Sequence, residues 1–165
     1  MFLPSTNVEN AKDILENINP LKPYYSRLWI PKKNTCWRKA GKIEIIREVL
    51  FPSYLFVDTE SYQDLYDSLR KYSFSFPSLL LGHSEEHSLK TVTSQELEWI
   101  NALSDEQISD VQYVDQRVHF THGPMIGMDG YVRKVDRRKQ QLMLEMEFFQ
   151  RTMRIWVAFN DVERE

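Results

Sequence analysis

The stretch Gly123-Pro124-Met125-Ile126-Gly127-Met128-Asp129-Gly130 holds three of the chain's five glycines, and alternating apolar and polar residues flank it on both sides. Before it, Val114 and Arg117-Val118-His119-Phe120 read as a strand, and after it Tyr131-Val132-Arg133-Lys134-Val135 reads as another. Glycine reaches positive φ without a Cβ clash and Pro124 presets its own φ, so Gly123, Pro124, Gly127 and Gly130 predict a tight hairpin turn. Two further alternating runs follow, Gln141 to Met146 and Thr152 to Val157, and Phe159 to Val162 closes the series. Five short strands in about fifty residues predict a small closed barrel. Branched and aromatic residues in these runs favour strands over helices, in a barrel that folds independently of what precedes it.

Working outward, the chain has 165 residues, which accommodates a second domain before the barrel. Asn7 to Ile18 places Val8, Ala11, Ile14, Leu15 and Ile18 at helical spacing, with Thr6 or Asn7 as the N-cap and Pro20 beyond the end. Strands are predicted at Arg27 to Ile30, Ile43 to Val49, Tyr54 to Val57 and Leu79 to Leu81. A second helix fits Tyr62 to Tyr72, where Leu65, Tyr66 and Leu69 share a face. A third opens at Ser94 as the capping residue, with Leu97, Ile100 and Leu103 inward. The polar series from Asp105 breaks both periods and reads as a linker. The division is therefore residues 1–104, a linker at 105–113, and a barrel at 114–165. The fold class is α+β, an antiparallel sheet flanked by helices followed by an SH3-like barrel.

Composition narrows the function. The hydrophobic content of 42% suffices for a core, while no apolar run approaches the roughly 20 residues that cross a membrane. Met1-Phe2-Leu3-Pro4 is followed at once by polar residues, unlike a signal peptide, so the expected compartment is the cytoplasm. Cys36 is the single cysteine, which excludes a disulfide framework and a cysteine zinc site. His83 and His87 lack a third ligand nearby, and His119 and His122 flank the glycine turn as structural or exposed residues. No phosphate-binding glycine loop or nucleophile triad stands out, so no metal, cofactor or catalytic activity is expected. The formal net charge of −3 means that any nucleic-acid contact must be local or tethered by a protein partner.

The glycine turn and its strands, from Val114 to Val162, closely resemble the KOW motif, an SH3-like barrel of transcription elongation factors and ribosomal proteins. A second resemblance lies upstream. Leu50-Phe51-Pro52-Ser53-Tyr54-Leu55-Phe56-Val57, preceded by Arg47-Glu48-Val49, looks like the signature of the NGN domain of NusG-type elongation factors. The two motifs in this order resemble the NusG architecture over essentially the whole chain. The resemblance implies a monomeric factor that rides on RNA polymerase, its NGN domain docked on the clamp helices of the largest subunit. It also implies that Phe2, Leu50, Phe51, Tyr54 and Phe56 form the apolar depression that receives those helices. Alternating aromatics are equally a core pattern, and Leu55 and Val57, pointing the opposite way, are the expected core residues.

Three departures from the family are visible. Met1-Phe2-Leu3 stands where NGN domains carry a Trp-Tyr pair, Ser53 replaces a glycine before Tyr54, and Gln150 replaces the glycine of Phe-Gly-Arg. The last two favour a specialised paralogue over the housekeeping factor, and the Gln150 change puts contacts with Rho or a ribosomal protein in doubt. Within the family the basic segment, the glycine turn and Glu147-Phe148-Phe149 look most like the LoaP antiterminator group, which recognises a leader RNA hairpin.

Between Asn17 and Ile43 there is no acidic residue, while Lys22, Arg27, Lys32, Lys33, Arg38, Lys39 and Lys42 are interleaved with Tyr24, Tyr25, Trp29 and Trp37. Cations for phosphate and rings for unstacked bases are the chemistry of RNA-loop recognition, with Trp37 the stacking candidate. A solvated loop balancing Glu44 and Glu48 is the alternative. Arg133-Lys134 and Arg137-Arg138-Lys139 read chiefly as a solvated turn. The expected function is antitermination on RNA polymerase with contact to nascent RNA. A housekeeping elongation factor is the nearest rival, and a ribosome-associated RNA-binding protein that never touches polymerase is the rival from another class.

Overall fold

The computed structural model describes residues 8–72, 91–115 and 117–162. It is a mixed α+β chain that divides into two compact units, one of Met1–Pro31 with Phe51–Thr91, the other of Lys32–Leu50 with Val92–Glu165. The expected strand at Leu79 to Leu81, together with Phe2, His83 and His87, lies outside the described residues.

In the first unit, α1 (Val8–Asn17) buries Val8, Ala11 and Leu15, the stripe its spacing predicts. Pro20 then opens a 3-10 turn, Asn19–Tyr24, around the fully buried Leu21. β1 (Arg27–Trp29) pairs antiparallel with β4 (Phe56–Asp58) in the register Arg27↔Asp58, Leu28↔Val57 and Trp29↔Phe56. Asp58 fixes that pairing with its carbonyl, which accepts from Ser26 N at 2.9 Å, and its carboxylate, which accepts from Trp29 Nε1 at 3.0 Å. α2 (Tyr62–Tyr72) buries Leu65, Ser68 and Leu69, while Tyr66, half-buried, stacks on Tyr62 with ring planes 6° apart.

The second unit contains β2 (Lys32–Lys39), β3 (Lys42–Val49), α3 (Ser94–Ser104) and six further strands. β5 (Asp110–Val114), β6 (Arg117–His122) and β10 (Asn160–Asp161) form one sheet in the order β10-β5-β6. β7 (Val132–Asp136), β8 (Gln141–Phe148) and β9 (Arg151–Ala158) form another, in chain order. Alternation decides which residues go inward: Leu142, Leu144, Met146 and Phe148 of β8 are buried, and the residues between them are not.

The glycine stretch is not a hairpin. It joins β6 to β7, which belong to different sheets, so it carries the chain from one sheet to the next. Gly123 (φ +96) and Gly127 (φ +85) occupy the left-handed region, whereas Gly130 sits in a 3-10 turn, Asp129–Tyr131, without positive φ. A Cβ on Gly123 would fall 2.7 Å from both Cα and Oγ of Ser109, and the same Oγ accepts from Met125 N at 2.9 Å. The turn is thus seated on Ser109.

The region expected to be a linker ends in a strand. Val111 is fully buried, Asn160 N donates to Ser109 O at 3.0 Å, and β10 runs parallel to β5. The run of polar residues masks this because Ser109, though polar, is completely buried with its hydroxyl satisfied.

α3 is capped by Thr93 rather than Ser94. The Thr93 hydroxyl accepts from Glu96 N at 3.2 Å, and the Glu96 carboxylate accepts from Thr93 N at 2.9 Å, a reciprocal capping box. Ile100 and Leu103 are buried as expected, but Leu97 is 41% exposed. The helix is turned so that Trp99 faces the strands, edge-on to Tyr131 at 5.2 Å and to Phe148 at 5.7 Å. Glu96 adds a bond to the β8–β9 turn, accepting from Phe149 N at 2.7 Å.

β2 lies where a basic loop was expected and makes a hairpin with β3, the strand expected from Ile43 to Val49, paired from Lys32↔Val49 to Lys39↔Lys42. Its base is bonded to neighbours in the same unit. Lys33 Nζ donates to Trp156 O at 2.8 Å, and Gln141 Nε2 donates to Thr35 Oγ1 at 2.7 Å and to the Cys36 carbonyl at 2.8 Å. Asn34 and Arg47 donate to carbonyls at the C-terminal end of α3, Asn34 to Asp105 at 3.1 Å and Arg47 to Ser104 at 2.8 Å. The C-terminal strands therefore share a compact unit with β2, β3 and α3.

Candidate nucleic-acid interface

The β2–β3 hairpin is closed by Ala40 (φ 49) and Gly41 (φ 84), two successive left-handed residues, as a two-residue type I′ turn requires. Such a turn matches the right-handed twist of the strands, so both arms run straight to the tip. Cross-strand partners share a face, which sorts the tip residues: Trp37 lies opposite Glu44, Arg38 opposite Ile43, and Lys39 opposite Lys42. Trp37 is 63% exposed, and Arg38, Lys39 and Lys42 are exposed beside it. Lys39 and Lys42 put like charges directly across the closing pair, which costs stability. An indole of this exposure, with Lys39 and Lys42 on its own face and Arg38 on the other, offers a stacking plane and phosphate partners within one turn of chain.

Not every basic residue of the segment belongs to this tip. Lys33 is only 11% exposed and bridges Glu48 Oε2 at 3.3 Å as well as the Trp156 carbonyl, so its charge holds the hairpin base. Lys32 is half-buried at the start of β2. Arg27 belongs to the other unit, where its guanidinium lies 4.9 Å from the Trp29 ring centroid. Cys36 is half-buried, and burial pushes its thiol pKa up.

The residues expected to receive a partner's helices are distributed differently from the expectation. Phe56 is 5% exposed, wedged between Trp29 at 4.9 Å and Phe51 at 5.8 Å, and Phe51 is 2% exposed. Both rings are core, because the β1–β4 register sets Trp29 directly across from Phe56. Leu55 is fully buried as expected, whereas Val57 is only half-buried. Tyr54 is half-buried at the edge of the cluster, 6.1 Å from Phe51. Leu50 is buried and is the last residue of the other unit's first segment.

In the C-terminal strands Arg133, Arg137 and Arg154 are engaged locally. Arg137 clamps the buried Asp161 carboxylate, Nε at 3.0 Å and Nη2 at 2.9 Å, and covers the Tyr113 ring at 4.1 Å. Arg154 donates to Glu145 at 2.9 Å, and Arg133 stands 3.5 Å from it. The Arg154 hydrogen bond, with the charges of both arginines, holds the Glu145 carboxyl below the usual range. Among the described residues no cluster of three or more His, Cys, Asp or Glu side chains could hold a metal ion, and no helix is long and apolar enough to cross a membrane.

Sequence reasoning missed β2 because its interleaved cations and rings were read as an RNA-binding loop, or alternatively a solvated one, rather than as a strand. The signal was present: Thr35-Cys36-Trp37 is strand-prone, and Ala40-Gly41 is a two-residue gap before the alternating Ile43 and Ile45. Comparison with known proteins yields no matching family model and no matching curated protein.

Proposed function

We propose that the protein is a NusG-type transcription elongation factor of the specialised, antiterminating kind, an NGN domain followed by a KOW barrel, which binds RNA polymerase clamp helices and contacts nascent RNA. It works in the cytoplasm and carries no catalytic activity. Two sequence resemblances in the right order support the polymerase half of this reading, the Leu50 to Val57 octet and the glycine turn with its strands. One observation supports the RNA half: the β2–β3 tip displays Trp37, 63% exposed, among Arg38, Lys39 and Lys42. A loop base stacked on that exposed indole, with phosphates on the nearby cations, is the contact this display suits.

Of the residues in the octet, Tyr54 is the one whose ring is both at the aromatic cluster and partly open to a partner. The test of the RNA contact is titration of a structured RNA hairpin with an unpaired loop against an RNA duplex of equal charge. Wild type is expected to prefer the hairpin, and Trp37→Ala to remove the preference while retaining salt-sensitive binding. Equal binding of both RNAs by wild type would favour a factor that finds its operon another way.

A further inference from the structure

Two of the three sheets of the second unit leave edges facing a common cleft. β6 is the edge of one sheet and β7 the edge of the other, and no ladder joins them. Between them lies a cleft of about 480 Å³, walled by Val118, Val132 and Val135 and rimmed by Arg117, Arg133 and Lys134. We propose that this cleft is a docking site for an acidic, extended peptide segment of a partner protein, which adds to β6 as a further strand.

Three observations carry this. First, β6 turns main-chain donors to the cleft side, where Phe120 N donates to Asp129 Oδ1 at 2.7 Å. Asp129 is itself a lining residue, so its carboxylate occupies the place where the carbonyl of an added strand would sit. Main-chain direction alternates along a strand, so Val118 turns its N–H and C=O to the same side. Second, β7 cannot serve as the receiving edge equally well. Its register with β8 slips between Val132 and Lys134, a bulge that blunts an edge against pairing and leaves Arg133 and Lys134 across the cleft as charge partners. Third, Arg117, Arg133 and Lys134 rim the cleft against Asp129, which is engaged by Phe120 N and stands 3.8 Å from His119 Nδ1, and against Glu145, which Arg133 meets at 3.5 Å. The surplus is positive and complements an acidic segment.

A single-stranded nucleic acid is the competing occupant of a basic groove. Its bases need rings to stack on, and the lining is largely valine with no Phe, Tyr or Trp, its one ring being the His119 imidazole that stands 3.8 Å from Asp129. A strand whose small apolar side chains alternate with carboxylates fits both features, apolar residues on the valines and acids toward the rim. This site is separate from the β2–β3 tip and does not depend on the chain's binding RNA.

The experiment follows amide resonances of the isotope-labelled full-length protein on titration with the blocked peptide (Glu-Val)4. Its three controls are (Lys-Val)4, (Glu-Val)4 N-methylated at alternate residues, and oligouridylate of equal charge. The expected result is saturable shifts at residues 117–120 and 132–135 with (Glu-Val)4 alone. N-methylation, which removes the pairing donors and keeps the charge, is expected to weaken binding about tenfold. Arg117→Glu weakens it about fivefold, and Lys134→Glu makes the same test should the first variant fold poorly. Equal shifts from the N-methylated peptide would reduce the site to charge attraction, equal shifts from oligouridylate would make it a nucleic-acid groove, and no shifts at these residues would overturn it.

Discussion

Replacing the three glycines of the turn one at a time by alanine should produce a graded loss of stability. At Gly123 two costs add. Its φ of +96 places an L-residue in a region that costs roughly 1–2 kcal/mol, and its Cβ would lie 2.7 Å from backbone Cα of Ser109, which cannot rotate away. Relief requires the turn to lift off Ser109, which breaks the buried bond from Met125 N to Ser109 Oγ, worth about 1–3 kcal/mol when a buried partner is left unsatisfied. Gly123→Ala should therefore cost about 3 kcal/mol. At Gly127, φ is +85 but nothing lies within 4 Å of the added Cβ, so only the backbone term of about 1–2 kcal/mol remains. Gly130 has neither feature, and Gly130→Ala should be neutral or stabilise by up to about 1 kcal/mol through the unfolded chain. Urea denaturation followed by circular dichroism and tryptophan fluorescence reads the series. A Gly130 variant as damaging as Gly123→Ala, or a harmless Gly123→Ala, would refute the assignment of the turn to a seat on Ser109.

Further outcomes follow from the geometry. Burial alone would raise the Glu96 pKa, but hydrogen bonds from Thr93 N–H, Phe149 N–H and the Thr93 hydroxyl outweigh it and hold the carboxyl below its usual value of 4.5. The sign follows from linkage: a depressed carboxyl adds stability above the unfolded pKa and loses it as the pH falls through the lower folded value. The wild-type advantage over Glu96→Gln in chemical denaturation should therefore be full at pH 7 and shrink on acidification below about 4.5, the usual glutamate range; a difference constant down to pH 3 would contradict it. Trp37→Ala should leave the unfolding midpoint within about 0.5 kcal/mol of wild type, because the ring is largely exposed, and should weaken RNA-hairpin binding by about 1–3 kcal/mol. Phe56→Ala should destabilise the first unit by about 3–5 kcal/mol, since the ring is buried between Trp29 and Phe51; a stable variant with unchanged near-ultraviolet dichroism would return Phe56 to the surface.

Elements with a clear period were legible from sequence. α1 came from Val8, Ala11 and Leu15, and α2 came from Leu65 and Leu69. The alternation from Gln141 to Met146 gave most of β8, which runs on to Phe148 with the same period of two. What escaped was structure carried by polar residues. Ser109 is fully buried only because its hydroxyl meets Met125 N, Asn34 because its amide caps the carbonyls after α3, and Lys33 because it reaches the Trp156 carbonyl. Each is a long-range pairing that no local pattern records. The candidate site divides in the same way. Exposure of Trp37 and its three cations agrees with the charge reading, whereas Phe56 and Lys33 are taken into the fold by partners 27 and 123 residues away in sequence, Trp29 and Trp156.

The most direct measurement is the equilibrium binding of the purified chain to purified bacterial RNA polymerase core, wild type beside Tyr54→Ala. Tyr54 is the partly open ring of the aromatic cluster, and its loss from a desolvated contact should cost about 2 kcal/mol, more than tenfold in affinity. The proposed function predicts saturable binding by wild type and at least that loss in a variant whose circular dichroism is unchanged. Absence of binding by the folded wild-type protein would contradict it.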